Sequence, residues 1–433
     1  MKKKISEKNN RGLVLTLIPT PAQKLLLDKH LNDTRFIYNK YVEEYLKALK
    51  EERIPNYKNY KELRAEHEFL KGSYSWTVQQ ILYKFKQTNS INRSKRTKGQ
   101  QVGLIKFRSK KSHSDYFYSN NIKFSYNHDC KSESYVYIPK IGKVQFRCKN
   151  IKSELLNGKI KSAVVKRTKT GSYTISLCIE IDTIHEDRKD NKHIGLDFSL
   201  RDFFVDSFGA KAPEFSTKRS KMESLQKRID SLNTAISKMR NKSKKKRKVS
   251  VKLYRLTIKR NKLYERVHNV QVDYINKLSR SLCQHNELIV LEDLDLHEMS
   301  EHTSYNDSKT STKGGNHGKS VGLLQWYYFC KKLEENAEKF GNVIVYADKF
   351  FPSSQICSKC GEIHSEMKDV TKRTLKCKCG NIIDRDYNSA INLLKAGKYY
   401  FQNKTLGKEL SEYKAFKCLD FSRSKALKLE LSI

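Results

Sequence analysis

The sequence predicts an α/β protein of several domains. Strand-like and helix-like apolar patterns alternate along its 433 residues, which marks mixed layers rather than an all-α or all-β fold. A β pattern fills the second part of the N-terminal half, and acid-bearing apolar strands separated by long helical runs fill the C-terminal half. Hydrophobic residues make up 37% of the chain, enough for cores, and the length suits about two to four domains.

Charge narrows the function classes. Lys and Arg number 87 against 47 Asp and Glu, a net charge of +40. A chain that repels itself this strongly is built to meet a polyanion. Aromatics at 10%, led by 24 Tyr, argue against bulk disorder. No apolar run reaches the roughly 18 residues of a membrane span, so no membrane is expected. The basic N-terminal flank lacks the apolar core and small-residue cleavage site of a secretory signal. The ten Cys are scattered except for four near the end. That pattern suits a reducing, cytoplasmic setting with one metal site.

In the first segment, Gly12–Pro19 reads as a strand and Pro21–Lys50 as a helix pair, with Leu25, Leu26, Leu31, Phe36, Ile37, Tyr41 and Tyr45 as its apolar positions. Ser75–Gln87 is a further helix with Gln80 and Lys84 on one face. Arg93–Lys111 is a basic loop, either a solvated linker or a phosphate-contacting segment; the net charge favours the second. Between Tyr116 and Asp182 the pattern is β, with turns at Ile141-Gly142 and Thr170-Gly171-Ser172. His185–Lys192 is polar and charged and reads as a domain boundary.

From His193 the stretch HIGLDFSLRDFFVDSFG predicts two paired strands, with Asp197 in the first. Met222, Leu225, Ile229, Leu232, Ile236 and Met239 then follow heptad spacing. A second apolar run from Leu253 to Leu278 completes an antiparallel helical hairpin, whose basic tip is Asn241–Lys248. Glu287–Leu294 is a short strand ending in acids. Ser300–Lys319 reads as a mobile loop, Val321–Phe340 as a helix and Val343–Ala347 as a strand. The last helix is expected over Tyr387–Ala396, with Gly397 just past its end. Lys398–Ile433 is a basic tail without pattern.

Asp197 and Glu292 each sit in an apolar strand, and Asp386 opens a helix. An acid embedded among apolar residues is costly unless it is paired or bound to a cation. Three such acids meeting at one place can hold two Mg2+ ions about 3.5–4 Å apart and act on a phosphodiester. Taken singly, Asp197 can begin a turn, Glu292 can pair with a Lys, and Asp386 or Asp384 can cap the helix. Cys357-Ser-Lys-Cys360-Gly and Cys377-Lys-Cys379-Gly form two knuckles that suit a structural Zn2+. Gly after each second Cys allows a positive φ. Free thiols or a redox pair are the alternative. His364 lies between the knuckles, but four thiols need no further ligand.

Together, IGLDFS, IVLEDL, the four-cysteine knuckles and DRDYNSAINLL resemble the split RuvC nuclease domain of the TnpB family, transposon-encoded RNA-guided endonucleases related to compact type V CRISPR effectors. FFPSSQICSKCG, RFIYN (Arg35–Asn39), FRSK (Phe107–Lys110) and YIPKIGKVQFR extend the resemblance over Leu13 to Leu394. It implies an RNase H-like RuvC domain with helical hairpin and zinc-ribbon insertions, preceded by a β-barrel-like wedge domain with a helical recognition insertion. The boundaries are then 1–190 for the wedge domain, with its insertion at about 20–115, and 191–350 for the first RuvC part, with the hairpin at 218–282. The ribbon takes 351–383, the last RuvC part 384–397 and the tail 398–433.

The resemblance also implies that Asp197, Glu292 and Asp386 are catalytic and bind Mg2+, with Asp384 accessory. Cys357, Cys360, Cys377 and Cys379 would bind zinc, and Gln80 and Lys84 would be candidates for reading DNA. The expected partners are a guide RNA from the transposon end and double-stranded DNA, with one guide RNA per protein monomer in a prokaryotic cytoplasm. The competing readings are a compact CRISPR effector, a guided repressor that does not cut, a transposase that joins ends, and a zinc-ribbon RNA-binding protein without activity.

Overall fold

The computed structural model describes residues 8–110, 115–148, 151–182, 185–244, 251–294, 324–406 and 416–421. The hairpin tip from 245, the Ser300–Lys319 stretch and the tail from 422 lie outside them. The chain divides into two compact units, Met1–Thr183 and Ile184–Ile433.

The first unit opens with β1 (Lys8–Ile18) and α1 (Pro21–Lys50). Helix α1 is one continuous helix, which corrects the expected pair. Its start is strongly specified: Thr20 caps it, Gln23 completes a capping box, and Pro21 stands in the first turn. The polar run His30–Arg35 does not break it because its charged groups and its hydroxyl find partners, although His30 Nε2 stays buried without one. Lys29 Nζ meets Asp33 at 2.6 Å, the Thr34 hydroxyl donates to His30 O at 2.6 Å, and Arg35 pairs with Asp115 at 2.5 Å. Next come α2 (Tyr60–Glu66) and α3 (Ser75–Thr97). Helix α3 therefore takes in the first residues of the expected basic loop. Ile37, Tyr41, Val78, Ile81 and Phe85 form a buried cluster with it.

Strands β2 (Tyr116–Ser119), β3 (Lys123–Ser125), β4 (Tyr135–Ile138) and β5 (Gly142–Arg147) precede a short helix, α4 (Ser153–Leu156). Strands β6 (Lys159–Arg167) and β7 (Tyr173–Asp182) follow. With β1 they form one antiparallel sheet in the order β2-β6-β7-β1-β5-β4-β3. Among the described residues no pairing joins its two edges, β2 and β3. Burial alternates along β7 with period two, as one covered face requires.

The second unit is a mixed α/β body. Strands β8 (Lys192–Ser199) and β9 (Phe203–Asp206) pair antiparallel. Helices α5 (Phe215–Lys244) and α6 (Val251–His285) pack with the heptad positions Met222, Leu225, Ile229, Ile236, Leu253, Leu263 and Val267 buried. Then follow β10 (Asn286–Glu292), α7 (Trp326–Phe340) and β11 (Val343–Ala347). Gln325, at φ 50°, is left-handed and interrupts the expected Val321–Phe340 helix, whose first three residues lie outside the described ones. A two-stranded ribbon, β12 (Thr374–Lys376) with β13 (Ile382–Asp384), leads into α8 (Arg385–Thr405). Strand β14 (Lys417–Asp420) closes the main sheet, in the order β14-β11-β10-β8-β9. Two expectations are corrected here: α8 runs past Gly397, and part of the tail is a strand paired with β11.

Gly397 is a packing residue rather than a helix end. A Cβ there would lie 2.4 Å from Val290 Cγ2 on β10. A Cβ on Gly195 in β8 would lie 2.2 Å from Ala390 O on α8. Helix α8 thus rests directly on the sheet backbone. Gly195→Ala is expected to lower the melting temperature of the full chain by several degrees, since overpacking against backbone costs about 1–3 kcal/mol. An unchanged melting curve would show that the two elements separate freely.

Candidate active site and metal centre

Strand register decides where the acids fall. Strands β8 and β10 run parallel with Leu196 opposite Leu291. The next residues, Asp197 and Glu292, therefore stand at one level on neighbouring strands. Leu196 and Leu291 belong to the core that includes α5, α6 and α7. Successive side chains point to opposite faces, so Asp197 and Glu292 emerge on the other face, the one covered by α8. Helix α8 carries Asp386 in its first turn. Ser389, three residues on, donates to Asp197 Oδ1 at 2.6 Å. Ser353 Oγ lies 2.8 Å from the Ser389 hydroxyl. One hydroxyl donates one proton, so the chain runs Ser353 to Ser389 to Asp197.

The alternatives open for each acid are decided by geometry. Asp384 is the N-cap of α8, accepting from the backbone of Asp386 and Tyr387, which leaves the Asp386 carboxylate off that duty. Asp197 lies inside β8 rather than at a turn. Lys417 pairs with the neighbouring Asp293, and no Lys or Arg ion pair to Glu292 occurs among the described residues. Asp386 does have a cation, Arg373, at 3.0 Å.

All three carboxyls are pushed upward. For Asp197 burial is the main cause, opposed by the Ser389 hydrogen bond and reinforced by the charges of Asp386 and Glu292. Burial, with the charge of Asp348, raises Glu292 to about 7. Burial also raises Asp386, against the pull of Arg373. The three do not bring ligand atoms within 4.8 Å of one another, whereas the cysteines do. A single ion needs that closeness, but two ions about 3.5–4 Å apart spread their ligands more widely. Mutual repulsion among buried carboxylates is the electrostatic complement of bound cations, so the donor set fits divalent ions.

A pH dependence follows. An acid whose folded pKa is raised lends stability below its unfolded pKa and loses it as pH rises through the folded value. In metal-free protein, the contribution of Glu292 is therefore expected to fall between about pH 4.5 and about 7. Added Mg2+ is expected to raise the melting temperature more at pH 8 than at pH 5. Equal shifts at both pH values, measured by thermal melts, would contradict this account.

The four thiols gather tightly. Cys357 and Cys379 Sγ are 3.7 Å apart, and Cys360 and Cys377 Sγ 3.5 Å apart. Tetrahedral Zn–S bonds of about 2.3 Å put sulfurs about 3.8 Å apart. Gly361 and Gly380, at φ 83° and 81°, let each knuckle turn back, and their amides donate to Cys357 O and Cys377 O. The Cys357 thiol is held down at about 6: burial opposes this, but the Asn381 amide and the backbone at Cys360 and Lys359 prevail. This four-cysteine cluster can hold a metal such as zinc.

Sequence reasoning missed the residues that join the two centres. Asn388 and Asn392, buried on α8, donate to Ile356 O at 2.7 and 2.6 Å. Ser358 N donates to Asn388 Oδ1 at 2.9 Å. The first knuckle is thus bolted to the helix that carries Asp386. The readable signal was three polar residues, Asn388, Ser389 and Asn392, on an otherwise apolar helix face. In the other unit, Gln80 and Lys84 lie half-buried on α3. Lys84 borders a cavity of about 180 Å³ with Tyr38, Arg108 and Tyr116.

Three family models match the chain: a helix-turn-helix domain (HTH_OrfB_IS605) at 9–53, OrfB_IS605, described as a probable transposase, at 176–303, and the Cas12f1-like TNB domain at 326–393. A TnpB-like protein of Acanthamoeba polyphaga mimivirus is 32% identical over 18% of this chain and 15% of its own length. The chain is thus similar to the TnpB family over parts of its length. A Streptomyces pristinaespiralis relative named "Putative RNA-guided DNA endonuclease" is 29% identical over 31% of each chain. The match therefore spans less than a third of that relative's length. A solved structure titled as a Cas12f1-sgRNA-target DNA complex has a TM-score of 0.48 at 13% identity, covering 89% of this chain and 98% of that one. Among the described residues no helix is long and apolar enough to cross a membrane.

Proposed function

We propose that this chain is an RNA-guided DNA endonuclease of a transposon. In this reading it cuts double-stranded DNA beside a short adjacent motif, at one RuvC-like, RNase H-like site. The observation that carries it is the placement of Asp197 and Glu292 at one level on parallel strands, beneath the helix that carries Asp386. Asp197, Glu292 and Asp386 would hold two Mg2+ ions, which supply charge stabilisation and an activated water at the phosphodiester. Ser389 orients Asp197, and Ser353 orients Ser389. Arg373 neutralises Asp386 and stands ready to pair with a phosphate. The four cysteines would hold zinc as a structural ion. The net charge of +40 suits a chain that binds RNA and DNA together, with affinity falling steeply as salt rises. The named activity of the Streptomyces relative points the same way.

On this reading, sequence choice belongs to guide pairing, and the protein reads only the adjacent motif. The first unit would hold the guide RNA, with Gln80 and Lys84 as motif-reading candidates. The test is purification with RNA transcribed from the flanking transposon end, followed by incubation with a plasmid library in Mg2+. Guide-dependent linear product next to one enriched motif is expected. Intact plasmid, or cutting that ignores the guide, would refute the reading.

A further inference from the structure

One buried group near the thiols has no work assigned. His364 is 8% exposed, and its Nε2 is enclosed without a hydrogen-bond partner. Its Nδ1 lies 3.1 Å from Glu366 Oε1. A carboxylate on one ring nitrogen takes the N–H and leaves the lone pair on the other, the usual arrangement of a metal-binding imidazole. Nε2 lies 3.9 Å from Glu362 Oε2, and Cys377 Sγ lies 3.1 Å from the same oxygen. The ligand atoms of Glu362, His364 and Cys377 all fall within 4.8 Å of one another. Around a tetrahedral ion with bonds of about 2.0–2.3 Å, ligand atoms stand roughly 3.2–3.8 Å apart.

We propose that Glu362, His364 and Cys377 form a second transition-metal site, for an ion of the zinc class. The Cys377 thiolate bridges it to the four-cysteine centre. The inference rests on the four-thiol reading for that bridge. Four thiols complete the first ion's tetrahedron, so His364 has no place there; a neighbouring ion gives its buried lone pair a partner. Cys377, already a thiolate on the first ion, has no proton left to release, and the exposed Glu362 leaves the fourth position to water. The second ion ties the first knuckle, through Glu362, to the turn Ser365–Lys368 and to the second knuckle.

The test uses the full chain as purified under reducing conditions. Zinc content is measured by elemental analysis, and Co2+ is then titrated with absorption as readout. After desalting, zinc plus the cobalt that shows a thiolate charge-transfer band is expected to total two ions per chain, since cobalt held by carboxylates alone lacks that band. His364→Ala and Glu362→Gln are each expected to keep one ion and lose the Co2+ spectrum. Glu366→Gln should weaken Co2+ binding about 10–100-fold. Saturation of the wild type at one ion overturns the proposal, as does an unchanged Co2+ spectrum in His364→Ala. A purified chain that retains no zinc refutes the four-thiol reading instead, a result distinct from loss of the second ion alone.

Discussion

Asp197→Ala is expected to lower guide-directed cleavage by about 10²–10³-fold while leaving RNA and DNA binding intact. The carboxylate acts where charge develops in the transition state, and losing one such group typically costs two to three orders of magnitude. Folding should survive and gain slightly at neutral pH, because burial and the charges of Asp386 and Glu292 penalise the ionised form. Ser389→Ala should cost less, about 10–100-fold, because it removes the hydroxyl that orients Asp197 rather than a ligand. Asp384→Ala should act chiefly on stability, by about 1 kcal/mol, because its carboxylate caps α8. Single-turnover cleavage rates of the three variants check this ordering. If Asp197→Ala cuts as fast as wild type, the acid is structural.

Cys357→Ser is the second large effect expected. Cys357 is 1% exposed and lies in a small cluster with Met367, Leu375 and Cys377. Losing its thiolate should release the bound zinc and unfold the ribbon, since structural zinc supplies folding energy directly. The damage should travel, because Ser353, Ile356 and Ser358 are hydrogen-bonded to α8 through Ser389, Asn388 and Asn392. Cleavage should therefore fall by at least about tenfold along with the zinc content. A zinc-free variant that melts and cuts like wild type would uncouple the two centres. Elemental analysis paired with a cleavage assay decides it.

Much of the second unit was legible because its signals are local. An Asp inside IGLDFS violates the apolar pattern of its strand, the heptads announce a hairpin, and Cys-Gly knuckles announce their own turns. What was hidden depends on distant partners. Pro21–Lys50 reads as two helices, whereas α1 is continuous, and its Arg35 is paired by Asp115 across 80 residues. Gly397 looks like a helix end until Val290 is seen to need its missing Cβ. Strand β14 is four residues long and exists because the edge of β11 accepts it. The link from Ser353 through Ser389 to Asp197 joins three separate segments, which no spacing rule records.

The central claim is that Asp197, Glu292 and Asp386 together bind divalent ions. Titration of Mn2+ into the full chain, followed by electron paramagnetic resonance at pH 8, tests it most directly. Two bound ions with a spin-coupled signal, lost in Asp197→Ala, are predicted. Mn2+ that stays free, or binds equally well to Asp197→Ala, would contradict the account.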